Sequence, residues 1–337
     1  MPFVGKGGEG ESHGHVPWSL PLDLQTFHWS ALWENLRERV PDISYHQGQA
    51  VQSARMKDDN TVILELEDGV EGVFDLVLFA DGYRSTGRRL LFPDAALQYR
   101  GYMLWRGLLP ESEITDSTPL GASVPRLSHQ QEPGNTVMYF IPDENGSTEK
   151  GSRVCNWASY IPLLEEDIPQ FMIDPNGHPR EGAIPPGQMR IEEEERLKRL
   201  VIENLPEYYS DIIAKTRNTF VQLIYTADIP SYYRDRMCLI GDAGAVIQPF
   251  TGSGVFKGYN NVRSLIDELR NCDTVSYALK RWDAMQLRIG RRLLALGEQM
   301  ERAFIWQPLD FSSADAASTE AWWKASVTFP DDFSYEK

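Results

Sequence analysis

The 337-residue sequence predicts an α/β protein: a Rossmann-like parallel sheet flanked by helices, interrupted by a β-rich second domain and closed by C-terminal helices. Three observations predict it. Two dense apolar runs, FDLVLFADG (74–82) and MCLIGDAG (237–244), lack polar alternation, as strands covered on both faces do. Between them, from about residue 99 to 230, aromatic-rich strand-like stretches alternate with Pro and Gly loops. After the second run, helical spacing of apolar residues dominates.

Each element follows in order. Residues 1–20 are rich in Gly, His, Glu and Pro without a period and predict a mobile arm, with order beginning near Pro21. Residues 21–98 form the first part of the sheet domain. TFHWSALWENLRERV places Phe27, Leu32, Trp33 and Leu36 at helical spacings, with Pro41 just beyond, so an amphipathic helix is expected. GQAVQSARMK and NTVILELEDG, joined by Lys57 to Asn60, read as a hairpin. Residues 99–230 form the second domain, with GYMLWRGLL, NTVMYFIPD, RVCNWASYIPL and FVQLIYTADIP as mostly antiparallel strands. A helix opens within it at Glu192 to Glu195, carboxylates that suit a first helical turn better than an acidic site. Residues 231–337 return to the sheet domain, with helices near Lys257 to Arg270 and from about Val275 to Ile305. The longer helix packs on its own sheet or across a homodimer, and periodicity does not choose.

Composition excludes several classes. With 42% apolar residues the chain has material for one large or two ordinary cores. Lys plus Arg number 33 against 49 Asp plus Glu, and the net charge of −16 repels nucleic acid and anionic membrane surfaces. Cys155, Cys238 and Cys272 are odd in number, far apart and without CxxC spacing, and read as reduced and structural. The opening residues have neither the basic flank nor the apolar core of a signal peptide, so a cytoplasmic protein is expected. His13 and His15 form an HxH pair with no third ligand nearby, and no metal is assigned. Without a GxSxG elbow, Ser85 and Ser253 do not suggest a hydrolase.

Two strand-to-loop junctions carry chemistry. In LIGDAGAVIQPFTGSGVFKGYNN, Gly241 lets the chain turn and Asp242 sets a carboxylate at the carboxyl edge of a strand, where α/β sheets bind ligands. Pro249 stiffens the loop, and Gly252 and Gly254 clear side chains from the start of a helix, leaving amide N–H groups open to a flat or anionic ligand. In LVLFADGYRSTGRR, Asp81 and Gly82 follow the other strand, and Arg84, Arg88 and Arg89 gather guanidinium groups suited to a phosphate. Either junction alone is also consistent with a turn and helix that hold no ligand. Together they suit the two ends of one extended dinucleotide.

The pair ADGYRSTGRR and LIGDAGAVIQPFTGSGVFKGYNN resembles the DG and GD motifs of the FAD-dependent aromatic hydroxylases, the para-hydroxybenzoate hydroxylase-like flavoprotein monooxygenases. YRGYMLWRGLLPE and VCNWASY look like the substrate domain of the 2,6-dihydroxypyridine hydroxylase branch. The resemblance implies FAD as cofactor and NADH or NADPH as reductant. It further implies O2 activation through a flavin C4a-hydroperoxide and a small aromatic or heteroaromatic substrate. It assigns Asp242, after Gly241, to the ribityl chain; Pro249, Gly252, Gly254 and Val255 to the flavin edge; and Asp81, Gly82 and Arg88 to the FAD and reductant groove. Tyr102, Trp105, Met138, Tyr160 and Tyr225 are candidate substrate-lining residues, each of which also suits a plain core.

The sequence departs from the family's pattern in three places. Gly5, Gly7 and Gly10 spell GxGxxG, but no apolar strand precedes them and HGHVP follows, so the opening βαβ unit is expected to be missing and one flank of the parallel sheet bare. Phe27, His28 and Trp29 stand where relatives carry a flavin-contacting arginine, and Ala245 where many have histidine. Two functions therefore stay open: an FAD-dependent monooxygenase, or a non-catalytic remnant that binds a small aromatic molecule or a partner.

Overall fold

The computed structural model describes residues 1–22, 24–121 and 123–328. In chain order the strands are β1 (Pro2–Gly5), β2 (His15–Ser19), β3 (Val51–Met56), β4 (Val62–Leu66), β5 (Glu71–Phe74), β6 (Val77–Phe79), β7 (Gln98–Pro110), β8 (Arg126–Ser128), β9 (Asn135–Ile141), β10 (Val154–Pro162), β11 (Ala183–Ile184), β12 (Phe220–Thr226), β13 (Tyr233–Arg234) and β14 (Met237–Leu239). The helices are α1 (Trp29–Arg37), α2 (Thr86–Leu91), α3 (Ile168–Phe171), α4 (Ile191–Asn204), α5 (Glu207–Lys215), α6 (Gly254–Asn271), α7 (Val275–Glu301) and α8 (Ala316–Val327). Two compact units result, one from residues 1–41, 101–224 and 302–326, the other from 42–100, 225–301 and 327–328. Helix α1 and residues 302–326, expected with the sheet domain, cluster instead with the β-rich unit. The end of the 231–337 segment, residues 329–337, lies outside the described residues.

The first unit is built on one eight-stranded sheet, ordered β11-β12-β7-β10-β9-β8-β1-β2. Its centre is antiparallel, with Leu108 opposite Asn156 and Asn156 opposite Tyr139. Because side chains alternate, Tyr102, Leu104, Arg106 and Leu108 share one face while Met103, Trp105 and Leu109 share the other. Trp105 and Trp157 meet edge to face there, 4.7 Å between centroids.

The expected arm over 1–20 is instead a β-hairpin. Phe3 pairs with Trp18 on one side and, in parallel, with Arg126 on the other. Phe3 is fully buried, its ring 5.2 Å from that of Phe311. A four-residue strand inside a Gly-rich stretch carries no readable period, and two of the partners that order it, Arg126 and Phe311, lie more than a hundred residues away. Helix α1 forms within the expected segment, capped by the His28 side chain, but none of its residues is buried. Phe27, Trp33 and Leu36, which the periodicity assigns to a packed face, remain exposed.

The second unit holds two three-stranded sheets, β13-β14-β6 and β3-β4-β5, around a core that includes Val77, Phe79, Leu239, Leu265 and Trp282. The expected hairpin forms, with Met56 opposite Val62 and the Lys57 N–H donating to the Thr61 carbonyl at 2.9 Å. FDLVLFADG does not become a strand covered on both faces: only Val77 to Phe79 are extended, and Leu78 between them is 44% exposed. Among the described residues β14 is the sole strand partner of β6. Helix α6 starts three residues before its expected opening, and α7 continues into a wide helical turn over Arg302–Trp306. No helix among the described residues is long and apolar enough to cross a membrane.

Candidate functional site

The two acidic junctions are neighbours. Strands β6 and β14 run parallel, with Val77 beside Met237, Leu78 beside Cys238 and Phe79 beside Leu239. One further bond, from the Ile240 N–H to the Phe79 carbonyl at 2.8 Å, carries the pairing to the strand ends. Asp81-Gly82 and Gly241-Asp242 therefore leave the same edge of adjacent strands, the edge at which parallel sheets receive ligands.

Arg88 ties the two loops together. It is 3% exposed, and its guanidinium donates to the carbonyls of Asp242 (3.0 Å) and Ala243 (3.2 Å) on one loop and Tyr83 on the other. Burial lowers its pKa, with Asp81 and Asp242 opposing the shift. This corrects the reading of the arginine cluster as a phosphate grip, since the Arg88 fork is committed to backbone oxygens. Arg89 likewise turns back, donating to Thr86 Oγ1 at 2.9 Å. Asp81 caps α2, its Oδ2 accepting the N–H groups of Thr86 (2.7 Å) and Gly87 (3.1 Å). Gly82 adopts φ +77°, with nothing within 4 Å of where a Cβ would stand.

The later loop is held by a buried polar chain that sequence reasoning missed. Gly241 turns at φ +61° and its N–H donates to Asn261 Oδ1 at 2.8 Å. Asn261 donates to Gln286 Oε1 (2.7 Å), and Gln286 donates to Ser264 Oγ (2.9 Å). The spacing of Gly241 and Asn261, one loop and two helical turns apart, was the only signal available. Farther along, Gln248 is fully buried and donates to Glu301 Oε2 (3.0 Å), which also accepts from Arg100 Nε (2.9 Å).

Lys257 was missed as well, although it stands inside the quoted motif. It is 1% exposed, reaching back along α6 to Asp242 Oδ1 at 2.6 Å and to the Ala245 carbonyl. Burial lowers the ammonium's pKa and Asp242 counteracts this. The Asp242 side chain remains half exposed. Around it the turn Pro249–Thr251 leads to Gly252 at φ +62° and to Gly254, the first residue of α6, and neither glycine has an atom within 4 Å of a built Cβ. Val255 follows, 45% exposed. A half-exposed carboxylate, side-chain-free gaps and the N-terminus of an 18-residue helix make a cradle for a hydroxylated chain and an electron-rich ring edge.

The five candidate substrate residues do not line one pocket. Tyr102, Trp105 and Met138 are fully buried and Tyr160 is 6% exposed. Trp105 and Met138 project from the sheet face opposite to Tyr102 and Tyr160, as the cross-strand register requires. Burial pushes the Tyr160 hydroxyl up to about 12. Tyr225 belongs to the other unit, its ring 5.7 Å from Tyr99. One cavity within the first unit, about 470 Å³, opens beside Arg106, Leu108, Tyr139, Asn156 and Phe220. A lone arginine inside the apolar run GYMLWRGLL was the signal for it.

Residues 99–226 match the family model described as FAD binding domain-like. The chain has the fold of the FAD-dependent aromatic hydroxylases. Its structure superimposes on 2,6-dihydroxypyridine-3-hydroxylase from Arthrobacter nicotinovorans with a TM-score of 0.82 at 21% identity, covering 99% of this chain and 81% of that one. In sequence it is 23% identical over 287 residues to 2,6-dihydroxypyridine 3-monooxygenase of Paenarthrobacter nicotinovorans, covering 82% of this chain and 68% of the relative. It is 26% identical over 278 residues to 3-amino-4-hydroxybenzoate 2-monooxygenase of Streptomyces cremeus, covering 81% of this chain and 61% of the relative. The chain thus spans about two thirds of the length of these curated relatives. The resemblance read from the two motifs is borne out.

Proposed function

We propose that this chain is an FAD-dependent monooxygenase, or the greater part of one, acting on a small aromatic or heteroaromatic compound with O2 and NADH or NADPH. The observation that carries this reading is the parallel pairing of β6 with β14, which sets both acidic junctions at one sheet edge within a single unit. The relatives named above are monooxygenases of hydroxylated rings, which supports the substrate class.

FAD bound there would supply the redox and oxygen chemistry. The residues present fit it. Asp242 would accept hydrogen bonds from sugar-alcohol hydroxyls, with Lys257 fixing its carboxylate in place. The gaps at Gly252 and Gly254 would admit a flat ring, and the first N–H groups of α6 would stabilise negative charge at its edge. Asp81 and Arg88 shape the groove by fixing α2 and both loops rather than by offering their own charges to the cofactor.

Titration of the purified chain with FAD, followed by visible absorbance, tests the reading. Near-stoichiometric binding weakened by Asp242→Asn supports it; absence of binding at high micromolar FAD refutes it. A second reading, a protein that binds an aromatic molecule without catalysis, is favoured by the cavity lying wholly within the first unit. Ligand binding in calorimetry without flavin binding would select it.

A further inference from the structure

The turn Pro249–Thr251, which leads to Gly252 and the start of α6, is preceded by Gln248, a side chain with no exposed surface. Its amide lies against α7: a Cβ built on Gly297 would overlap Gln248 Oε1 and stand 2.9 Å from its Cδ. Glycine is therefore required there for the close approach, in a helix interior that ordinarily disfavours it relative to alanine. One turn on, at the end of α7, a carboxylate takes the other side of the same amide. Gln248 Nε2 donates to Glu301 Oε2 at 3.0 Å, and Glu301 is 5% exposed.

A buried carboxylate needs a counter-charge. Arg100 supplies it with two nitrogens of its fork, Nε donating to Oε2 at 2.9 Å and Nη2 to Oε1 at 3.0 Å. The more exposed Glu298, three residues earlier on α7, stands 3.7 Å from Arg100 Nη1. An ionised carboxylate only accepts hydrogen bonds, so Glu301 also decides which way round the Gln248 amide sits. Nε2 faces the acid and Oε1 faces Gly297, where it is buried without a partner among the described residues. An orphaned acceptor costs free energy, and the bond on the other side of the amide offsets that cost. Arg100 and Glu301 each end a chain segment of the second unit, so the pair fastens two segment ends to the loop between β14 and α6.

We propose that Glu301 is a positioning residue for the flavin-edge turn: through Gln248 it locks Pro249–Thr251 and Gly252, with Arg100 holding its carboxylate and Gly297 giving the amide room. Released from Glu301, the amide turns over to relieve its orphaned oxygen, and the turn that follows it loosens. The N–H groups at the start of α6 then no longer meet a bound ring edge at a fixed distance. The proposal deepens the functional reading above. What the turn presents to FAD rests on that reading, whereas the locking of the turn does not.

Two variants of the full chain test it. Glu301→Gln keeps the shape and removes the ionised acceptor. Gly297→Ala pushes the Gln248 amide aside while placing a better helix former in α7, so it reports on the turn even where Glu301→Gln fails to fold. Without FAD, hydrogen exchange read by mass spectrometry over residues 245–256 is expected to quicken at least about tenfold in both variants, with exchange around the buried Leu265 unchanged. With FAD, the dissociation constant is expected to rise about tenfold. The midpoint potential of the bound flavin should fall by about 30 mV, a tenfold change for a two-electron couple, because the N–H groups that stabilise added negative charge are no longer held in place. A residue that merely stabilised the fold would weaken binding without moving that potential. Exchange over 245–256 that matches the unaltered chain in both variants overturns the proposal, as does quickened exchange with FAD bound at an unshifted potential. An unaltered chain that binds no FAD, with variants that still loosen the turn, removes the monooxygenase reading and leaves the lock standing.

Discussion

Removing the Asp242 carboxylate should do two things at once, and the structure shows how to separate them. Lys257 is 1% exposed and its ammonium has two acceptors, Asp242 Oδ1 and the Ala245 carbonyl. Asp242→Asn leaves that charge with a carbonyl and a neutral amide. Breaking a fully buried pair costs ~3–5 kcal/mol; the Asp242 side chain is half exposed, so about 2 kcal/mol is expected here. For a unit of this size that lowers Tm by roughly 4–8 °C. FAD affinity should fall in the same variant, and that fall alone does not show that the carboxylate touches the cofactor.

The double variant Asp242→Asn with Lys257→Met resolves the ambiguity. It removes both charges, which is commonly neutral for a buried pair, so stability should return to within ~1 kcal/mol while FAD binding stays weak. The pH dependence has a definite sign. Burial sets the folded pKa of Lys257 below 10.5, and losing Asp242 lowers it further. The unfolded chain then binds more protons than the folded one between the two pKa values, so stability rises with pH and the deficit of Asp242→Asn should shrink on alkalinisation towards pH 10. Urea denaturation at pH 7 and pH 9.5 measures it. An Asp242→Asn protein as stable as the parent, or a double variant that stays destabilised, would refute the electrostatic argument.

Gly254→Ala adds a methyl group where no atom lies within 4 Å, at the first residue of a helix, so stability should hold or rise by ~0.5 kcal/mol while FAD affinity falls; equal FAD affinity would mean that the gap is not used. Arg88→Met frees three carbonyl oxygens on two loops and should cost about 3 kcal/mol in denaturant melts, with weaker FAD binding as a consequence. Glu111, 3% exposed and gripped by Arg153 at 2.7 Å, has its carboxyl held down to about 2 from 4.5. Its contribution of about 3 kcal/mol is present above pH 4.5 and is lost as pH falls from there towards 2, so an acid melt of Glu111→Gln should be flatter across that window.

The sheet and its ligand edge were legible because they rest on short-range signals. Unbroken apolar runs ending in Asp-Gly and Gly-Asp mark the ends of β6 and β14, and the helical spacing after Gly254 marks α6. The hairpin of β1 and β2 was illegible for the converse reason. Phe3 has no periodic neighbours, and besides Trp18 its order comes from Arg126 and Phe311, contacts that no local window contains. Helix α1 shows the limit of periodicity itself: Trp33 and Leu36 carry the spacing of a packed face yet stand exposed.

The site divides along the same line. Backbone demands, such as positive φ at Gly241 and Gly252, are written as glycines and could be read directly. Side-chain partners could not. Lys257 looked like a solvated helical lysine, because nothing in its neighbours says that α6 brings its ammonium back to Asp242. Arg88 looked like a phosphate ligand, because two of the three carbonyls that occupy it belong to a loop more than 150 residues away. Substrate residues chosen for aromaticity fell on both faces of the sheet, since strand period alone decides facing and the register was not known. The more informative feature was the polar exception, not the aromatic rule. A charged side chain in an apolar strand persists where something pairs with it, and Arg106 meets Asn156 Oδ1 and the Phe220 ring, neighbours that only the sheet register brings to it.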